Sequence, residues 1–131
     1  MLTYKESCSI TPEEIVELRK SVGWNGILDC YRASLKKSYF YLCCFDNEKL
    51  VGFLDVISNG VTDAYIQDVI VNPNYQNQGI GTHLMELAIK RLCQDNIYAI
   101  SVLFEEKLLG VYKKFGFNIM MAGQMETRIE D

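Results

Sequence analysis

The spacing of apolar and polar positions predicts most of the elements of this chain. Residues 2–5 read as a short strand. Thr11-Pro12-Glu13-Glu14 has the form of a capping box with proline at the first helical position, so a helix is expected to start there. Ile15, Leu18 and Val22 form its apolar stripe, and Gly23 ends it. A second helix is expected over 26–37, with Ile27, Tyr31 and Leu35 on one face and Trp24 between the two helices. Residues 38–45 and 50–57 read as strands joined by the turn Asp46-Asn47-Glu48, and Ser58-Asn59-Gly60 is a further turn. A strand over 64–71 precedes the strongest helix, 79–94, whose inward positions are Ile80, Leu84, Leu87, Ala88 and Leu92; Asp95-Asn96 breaks it. A strand over 97–103, a short helix over 106–115 and β structure over 117–128 complete the chain.

This order predicts an α/β (α+β) fold with helices flanking a mixed, mostly antiparallel sheet. One parallel crossover joins strand 64–71 to strand 97–103 through the long helix, and such a unit is right-handed. With 131 residues, one domain over 1–131 is expected, large enough to bury about two-thirds of its unfolded surface. Apolar residues make up 49% and charged residues 23%, an ordinary globular balance. The net charge of −4 argues against a nucleic-acid-binding face and agrees better with a cationic or amine substrate. No apolar run is long enough for a membrane span, and the N-terminus lacks the apolar core of a signal peptide. The five cysteines (Cys8, Cys30, Cys43, Cys44, Cys93) have no Cys-x-x-Cys spacing, and with a single histidine no metal site is expected. Cys43 and Cys44 fall in an apolar run as small core residues. A reducing, cytoplasmic setting is expected.

The chemistry concentrates in Tyr65-Ile-Gln-Asp-Val-Ile-Val-Asn-Pro-Asn-Tyr-Gln-Asn-Gln-Gly-Ile-Gly-Thr-His-Leu-Met85, where a strand leads through a glycine-bearing loop into a helix. The first N–H groups of a helix have no intrahelical partner, and the helix dipole adds partial positive charge there. Glycine allows close approach of the main chain, so the loop is suited to a pyrophosphate. A Walker loop is excluded because it contains no lysine. A dinucleotide fingerprint is excluded because Gly79 and Gly81 are followed by Thr82-His83-Leu84, with no third glycine.

The pattern Gln76-Asn-Gln-Gly79-Ile-Gly81 resembles the acyl-CoA loop of the GNAT superfamily of N-acyltransferases. Leu108-Leu-Gly-Val-Tyr112-Lys-Lys-Phe-Gly116-Phe117 is similar to that family's C-terminal signature, a short helix carrying a tyrosine before Gly-Phe. Asp46-Asn-Glu-Lys-Leu-Val-Gly52-Phe resembles its hairpin, so the likeness covers residues 40–120. The resemblance implies a GNAT-like fold with about four helices and a parallel strand pair that splays apart to admit the pantetheine arm. It also implies acetyl-CoA as cosubstrate and transfer of its acetyl group to a primary amine, by direct attack through a tetrahedral intermediate. The amine belongs to a small molecule or to a protein or peptide.

That chemistry requires a neutral amine, a stabilised oxyanion and a protonated leaving thiolate. By the resemblance, the main chain of Val69, Ile70 and Val71 binds pantetheine, and the Val69 N–H faces the thioester oxygen. Tyr112 is the expected acid: a phenol stays protonated at neutral pH and gives its proton to a thiolate. Its bland alternative is a ring that merely packs on a short helix. The side-chain base that some family members carry would correspond to Tyr65 or Gln67, neither of which is a carboxylate or imidazole. A water chain ordered by these two is expected instead. Strand alternation sends Asp68 away from the site, towards a polar contact or a helix.

In the loop, Gly79 and Gly81 allow close approach, while Asn77, Gln78, Ile80 and Thr82 offer N–H groups. Gln76 either braces the loop or touches a phosphate. Glu105, where the family often has Asn, is expected to turn outward, and His83, Lys113 and Lys114 to be solvated. Ile119, Met120, Met121 and Met125 read as core, with the alternative that one or two of them line an adaptable acceptor site. The acceptor pocket in the resembling fold is often completed by a second subunit, which leaves a homodimer open. The alternative function is an acyl-CoA-binding or sensor module that has the fold without catalysis.

Overall fold

The computed structural model describes residues 1–127. Strand β1 (Leu2–Glu6) is followed by helices α1 (Pro12–Ser21) and α2 (Leu28–Ser34), then by strands β2 (Phe40–Asp46), β3 (Lys49–Ser58) and β4 (Asp63–Val71). Helix α3 (Ile80–Gln94), strand β5 (Ala99–Val102) and helix α4 (Leu109–Lys114) follow. The strands form one sheet in the order β1-β2-β3-β4-β5. The first three pairings are antiparallel, and β4 runs parallel to β5.

Local chemistry explains most boundaries. The Thr11–Glu14 capping box forms in both directions, with the Glu14 N–H donating to the Thr11 hydroxyl and the Thr11 N–H to the Glu14 carboxylate. Gly23 (φ +82°) turns the chain out of α1 in the left-handed region. Asn96 (φ +58°) does the same after α3, and the Ile97 N–H returns to the Leu92 carbonyl.

Side chains on the two faces of the sheet build two cores. On one face, Ile15 and Leu18 of α1 and Tyr31 of α2 pack on Cys43, Leu50, Phe53 and Ile70. On the other, Ile80, Leu84, Met85, Ala88 and Leu92 of α3 pack with Tyr112 on Cys44, Val51, Leu54, Val56 and Ile66. Cys43 and Cys44 are both core residues, and the pleat sends them to opposite faces. Helix α3 sits directly on Gly52. A Cβ there would lie 2.8 Å from Ile80 Cγ2 and 3.2 Å from Leu84 Cδ1. Only glycine lets the start of the helix approach the sheet this closely.

The structure differs from the sequence expectation in several places, among them the strand expected over 97–103, which covers only Ala99–Val102. The second helix is shorter: it starts at Leu28 after Ile27 in a left-handed conformation (φ +48°) and ends in a 3-10 turn, Leu35–Lys37. Gly26 lies so close to α1 that a Cβ there would stand 2.8 Å from Val16 Cγ1. The expected helix 106–115 is a 3-10 turn, Glu106–Leu108, leading into α4. In α3, Met85 is buried while Leu87 is half-buried. No strand forms over 117–127, and Arg128 lies outside the described residues. Ile119, Met120, Met121 and Met125 are exposed rather than core. β5 has only four residues of edge on which another strand could pair.

Candidate active site

The site is made by two irregularities in β4. The first is where its partner leaves it. β4 pairs with β5 at Asp63–Ala99, Ala64–Ile100, Tyr65–Ser101 and Ile66–Val102, and then the pairing stops. Among the described residues no strand faces the β5 side of β4 from Gln67 to Val71, so a wedge opens between β4 and the edge strand β5. The second is a bulge. Phe53 pairs with Ile70 and Asp55 with Gln67, so Asp68 and Val69 together oppose Leu54. Asp68 adopts φ +54° at this point, a left-handed conformation that aspartate tolerates better than most residues.

The bulge resets side-chain alternation. Ala64 and Ile66 belong to the α3 core, and after the bulge Val69 and Val71 pack against that same core. Gln67 and Asp68, consecutive in sequence, both line a cavity of about 860 Å³ that opens between the sheet and the α1–α2 segment. Strict alternation would turn Asp68 away from this site. Because of the inserted residue, it instead shares a wall with Tyr65, Gln67, Tyr31 and Arg19.

Asp68 is held from two helices. Arg19 Nη1 donates to its Oδ1 at 2.8 Å, and the Tyr31 hydroxyl donates to its Oδ2. Arg19 is 8% exposed; its Nε donates to the Asn25 carbonyl at 2.6 Å, and its guanidinium lies against the Trp24 and Tyr31 rings. Burial, reinforced by the Asp68 carboxylate, pushes the Tyr31 phenol well above its usual range. The helix-facing polar role expected for Asp68 is therefore present, and the helix is α1 together with α2. Below it, Gln67 Nε2 donates at 2.9 Å to the buried Asp55 of β3. Burial raises the Asp55 carboxyl above its usual value, and the Ser38 hydroxyl and the Gln67 amide partly offset this.

At the far end of β4 the chain turns through Asn72-Pro73 into the glycine loop. Gln76 Nε2 donates to the Val71 carbonyl at 3.1 Å, bracing the loop against the strand. Asn77 (φ +64°) and Gly79 (φ +84°) are left-handed, and Gly79 starts α3 without any side-chain cap. The helical ladder begins with the His83 N–H on the Gly79 carbonyl, so the N–H groups of Ile80, Gly81 and Thr82 lie ahead of it. Gln76, Asn77, Gln78, Gly79 and Thr82 are exposed. These features fit a pyrophosphate: free donors, a positive dipole end and no side chain in the way. His83 is exposed, with its ring edge against Tyr4 at 4.3 Å between centroids.

Tyr112 of α4 lines the cavity as well. It is 6% exposed and stacked on Phe104, with ring centroids 4.3 Å apart and planes 10° from parallel. Phe117 flanks it edge-on at 6.1 Å. Burial raises its phenol above the ordinary value, and it lines the same cavity as Tyr65, Gln67 and Val69. Glu105 turns outward to pair with Lys107 at 3.3 Å while touching the cavity rim.

The fold thus brings Tyr65, Gln67, Val69 and Tyr112 around one cavity, while Gln76 to Thr82 form a separate loop at the end of the strand. Sequence reasoning missed Arg19, Tyr31 and Asp55 as site residues. Arg19 looks like a solvated cation in the last turn of a helix, and Tyr31 like a core aromatic. Asp55 did carry a readable signal, as the one charged residue in the apolar run 50–57. Among the described residues there is no metal-binding cluster of His, Cys, Asp or Glu, and no helix is long and apolar enough to cross a membrane.

Known proteins share this architecture. A GNAT-family acetyltransferase from Streptococcus pneumoniae TIGR4 superposes with a TM-score of 0.83 at 29% identity, covering 99% of this chain and all of that one. An uncharacterized N-acetyltransferase of Pyropia yezoensis is 33% identical in an alignment of 109 positions that covers 79% of this chain and 63% of the relative. The chain therefore spans less than two thirds of that relative's length. A GCN5-related N-acetyltransferase of Arabidopsis thaliana named as chloroplastic is 36% identical over 70 residues, 53% of this chain and 27% of that one. The model of the acetyltransferase (GNAT) family matches residues 7–117, and with it the splayed β4–β5 pair, the glycine loop and the stacked tyrosine find their common explanation: this chain belongs to the GNAT family of acetyltransferases.

Proposed function

We propose that the chain is an N-acetyltransferase that moves the acetyl group of acetyl-CoA to a primary amine, with residues 1–131 acting as one domain. The observation that carries this reading is the wedge beyond Ile66–Val102, where the unpaired stretch of β4 and the buried Tyr112 line one cavity. Acetyl-CoA supplies the activated acyl group. The uncapped start of α3 and the Gln76-braced loop hold its pyrophosphate through the N–H groups of Asn77, Gln78, Ile80, Gly81 and Thr82. The main chain of Val69, Ile70 and Val71, unpaired on the edge that faces away from β3, receives the pantetheine amides.

The Val69 N–H then faces the thioester oxygen as a single oxyanion donor. Tyr112 gives its proton to the departing thiolate. A phenol kept protonated by burial is suited to that task, and its ring is fixed by the Phe104 stack. Asp68 is not the base, because each of its oxygens accepts a hydrogen bond from Arg19 or Tyr31. The amine proton leaves through water held by Gln67 and Tyr65. A reducing compartment such as the cytoplasm suits the free cysteines.

Calorimetric titration with acetyl-CoA, followed by thiol release against a panel of amines, tests the proposal. Micromolar binding with amine-dependent release is expected. Binding without release across the panel would favour a non-catalytic acyl-CoA sensor, and no binding would remove the loop assignment.

A further inference from the structure

One side chain in the sheet is out of keeping with its neighbours. Every residue of β3 from Leu50 to Val56 is buried, and the only charged one among them, Asp55, is 2% exposed. Its Oδ2 accepts from Gln67 Nε2, across the register that pairs the two residues. Its Oδ1 is buried near Ser38 Oγ, whose hydroxyl favours the carboxylate without closing a hydrogen bond of normal geometry to it. A half-satisfied buried carboxylate is costly, whereas an apolar pair at these positions would be close to neutral. Packing alone therefore gives no reason for Asp55.

Hydrogen-bond chemistry gives one. An ionised carboxylate can only accept, whereas a primary amide donates at its nitrogen and accepts at its oxygen. Asp55 therefore determines which way the Gln67 amide turns: Nε2 inward to the sheet, Oε1 outward to the cavity that Gln67 lines. Among the described residues nothing donates to that oxygen. Of the carboxylates that line the cavity, Asp68, beside Gln67 on β4, is already engaged on both oxygens by Arg19 and Tyr31, Glu105 at the rim pairs with Lys107, and Glu126 is exposed.

We propose that Asp55 is a positioning residue for the acceptor. By engaging the Gln67 NH2 group, it presents Gln67 Oε1 to the cavity as the hydrogen-bond acceptor for an N–H of the incoming amine. The inference rests on the transferase reading above and names the group that orients its second substrate. If Asp55 were neutral and able to donate, the amide could reverse and present its own N–H groups to a nitrogen that also carries them.

The test is a set of near-isosteric exchanges. Asp55→Asn frees Gln67 to reverse, and is expected to raise KM for the amine at least tenfold while leaving KM for acetyl-CoA unchanged. Gln67→Glu added to Asp55→Asn restores an acceptor to the cavity, since the carboxylate introduced on β4 takes an N–H of the amide introduced on β3 with one oxygen and presents the other. The double variant is expected to recover most of the lost amine affinity. An unchanged amine KM in Asp55→Asn, or a double variant no better than the single, would overturn the proposal. If Asp55→Asn fails to fold, Gln67→Met removes the amide without disturbing Asp55 packing, and a wild-type amine KM in that variant would be equally fatal. Orientation is also readable without turnover, by NMR. In the wild type the Gln67 side-chain NH2 protons should exchange at least tenfold more slowly than those of the exposed Gln78. Equal rates would refute the inward amide even if the protein proved to be a sensor, and slow exchange without thiol release would retain the orientation while the transferase reading fell.

Discussion

Arg19 and Asp68, 49 residues apart in sequence, meet at 2.8 Å, with side chains 10% and 18% exposed. The contact ties helix α1 to the bulge of β4, and so links the cavity wall to the first helix. Removing one partner of such a pair leaves a largely desolvated charge uncompensated. Asp68→Asn, which keeps the tolerance for a left-handed backbone, is expected to lower stability by about 3 kcal/mol. Combining it with Arg19→Met should cost clearly less than the sum of the single changes. Urea denaturation of the three variants measures this, and strict additivity would mean that the ion pair contributes nothing.

Tyr112→Phe removes a hydroxyl and retains the ring that stacks on Phe104. Turnover is expected to fall about 100-fold, with thermal stability and acetyl-CoA affinity unchanged. A comparable loss of acetyl-CoA affinity would instead assign Tyr112 to binding.

Gly52→Ala tests the seat of α3. The added methyl would stand 2.8 Å from Ile80 Cγ2 and 3.2 Å from the Cys44 Cβ, so the helix must shift or the core must strain. Overpacking of this kind costs about 1–3 kcal/mol. Because Ile80 is the first residue of α3, acetyl-CoA affinity is expected to weaken along with stability. A stable variant with unimpaired binding would show that the helix start tolerates displacement.

Alkaline pH should destabilise the protein, and the sign follows from which state holds its protons longer. Burial raises the phenols of Tyr31 and Tyr112, that of Tyr31 with help from the Asp68 carboxylate, and pushes Tyr4 up to about 12. Burial also raises the Cys43 thiol. In the unfolded chain these groups lose protons near about pH 8.5 for cysteine and about pH 10 for tyrosine. Above those values the unfolded state binds fewer protons than the folded one, so unfolding gains with every step in pH. Their contribution is complete below about pH 8.5 and is lost progressively towards about pH 12. Urea midpoints measured across that window should fall monotonically; a flat or rising profile would contradict the assignment.

Much of this was legible in the sequence because the relevant signals are local. Thr11 and Glu14 announce a helix start, Gly79 and Gly81 a bare helix N-terminus, and Ile80, Leu84, Ala88 and Leu92 a buried helix face. What the sequence concealed was not local. A period-two count along 64–71 cannot reveal that Asp68 is an inserted residue, because the bulge is defined by Leu54 on the neighbouring strand. Arg19 sits where helices commonly carry a solvated cation, and only the distant Asp68 explains its burial. The methionines near the C-terminus read as core by composition, yet no element lies over Met120 or Met121 to cover them.

The phase reset at Asp68 divides β4 into two separately adjustable halves. Ahead of it, Tyr65 and Gln67 face the cavity with their side chains. Beyond it, Val69 and Val71 direct their side chains into the α3 core, and what they offer the wedge is main chain, the same whatever residue stands there. The side chains at 65 and 67 can therefore change without altering the amide pattern at 69 and 71. On the transferase reading proposed above, a lineage or a laboratory selection could redirect such a strand to new amines by point substitution while its grip on the acyl donor stayed intact.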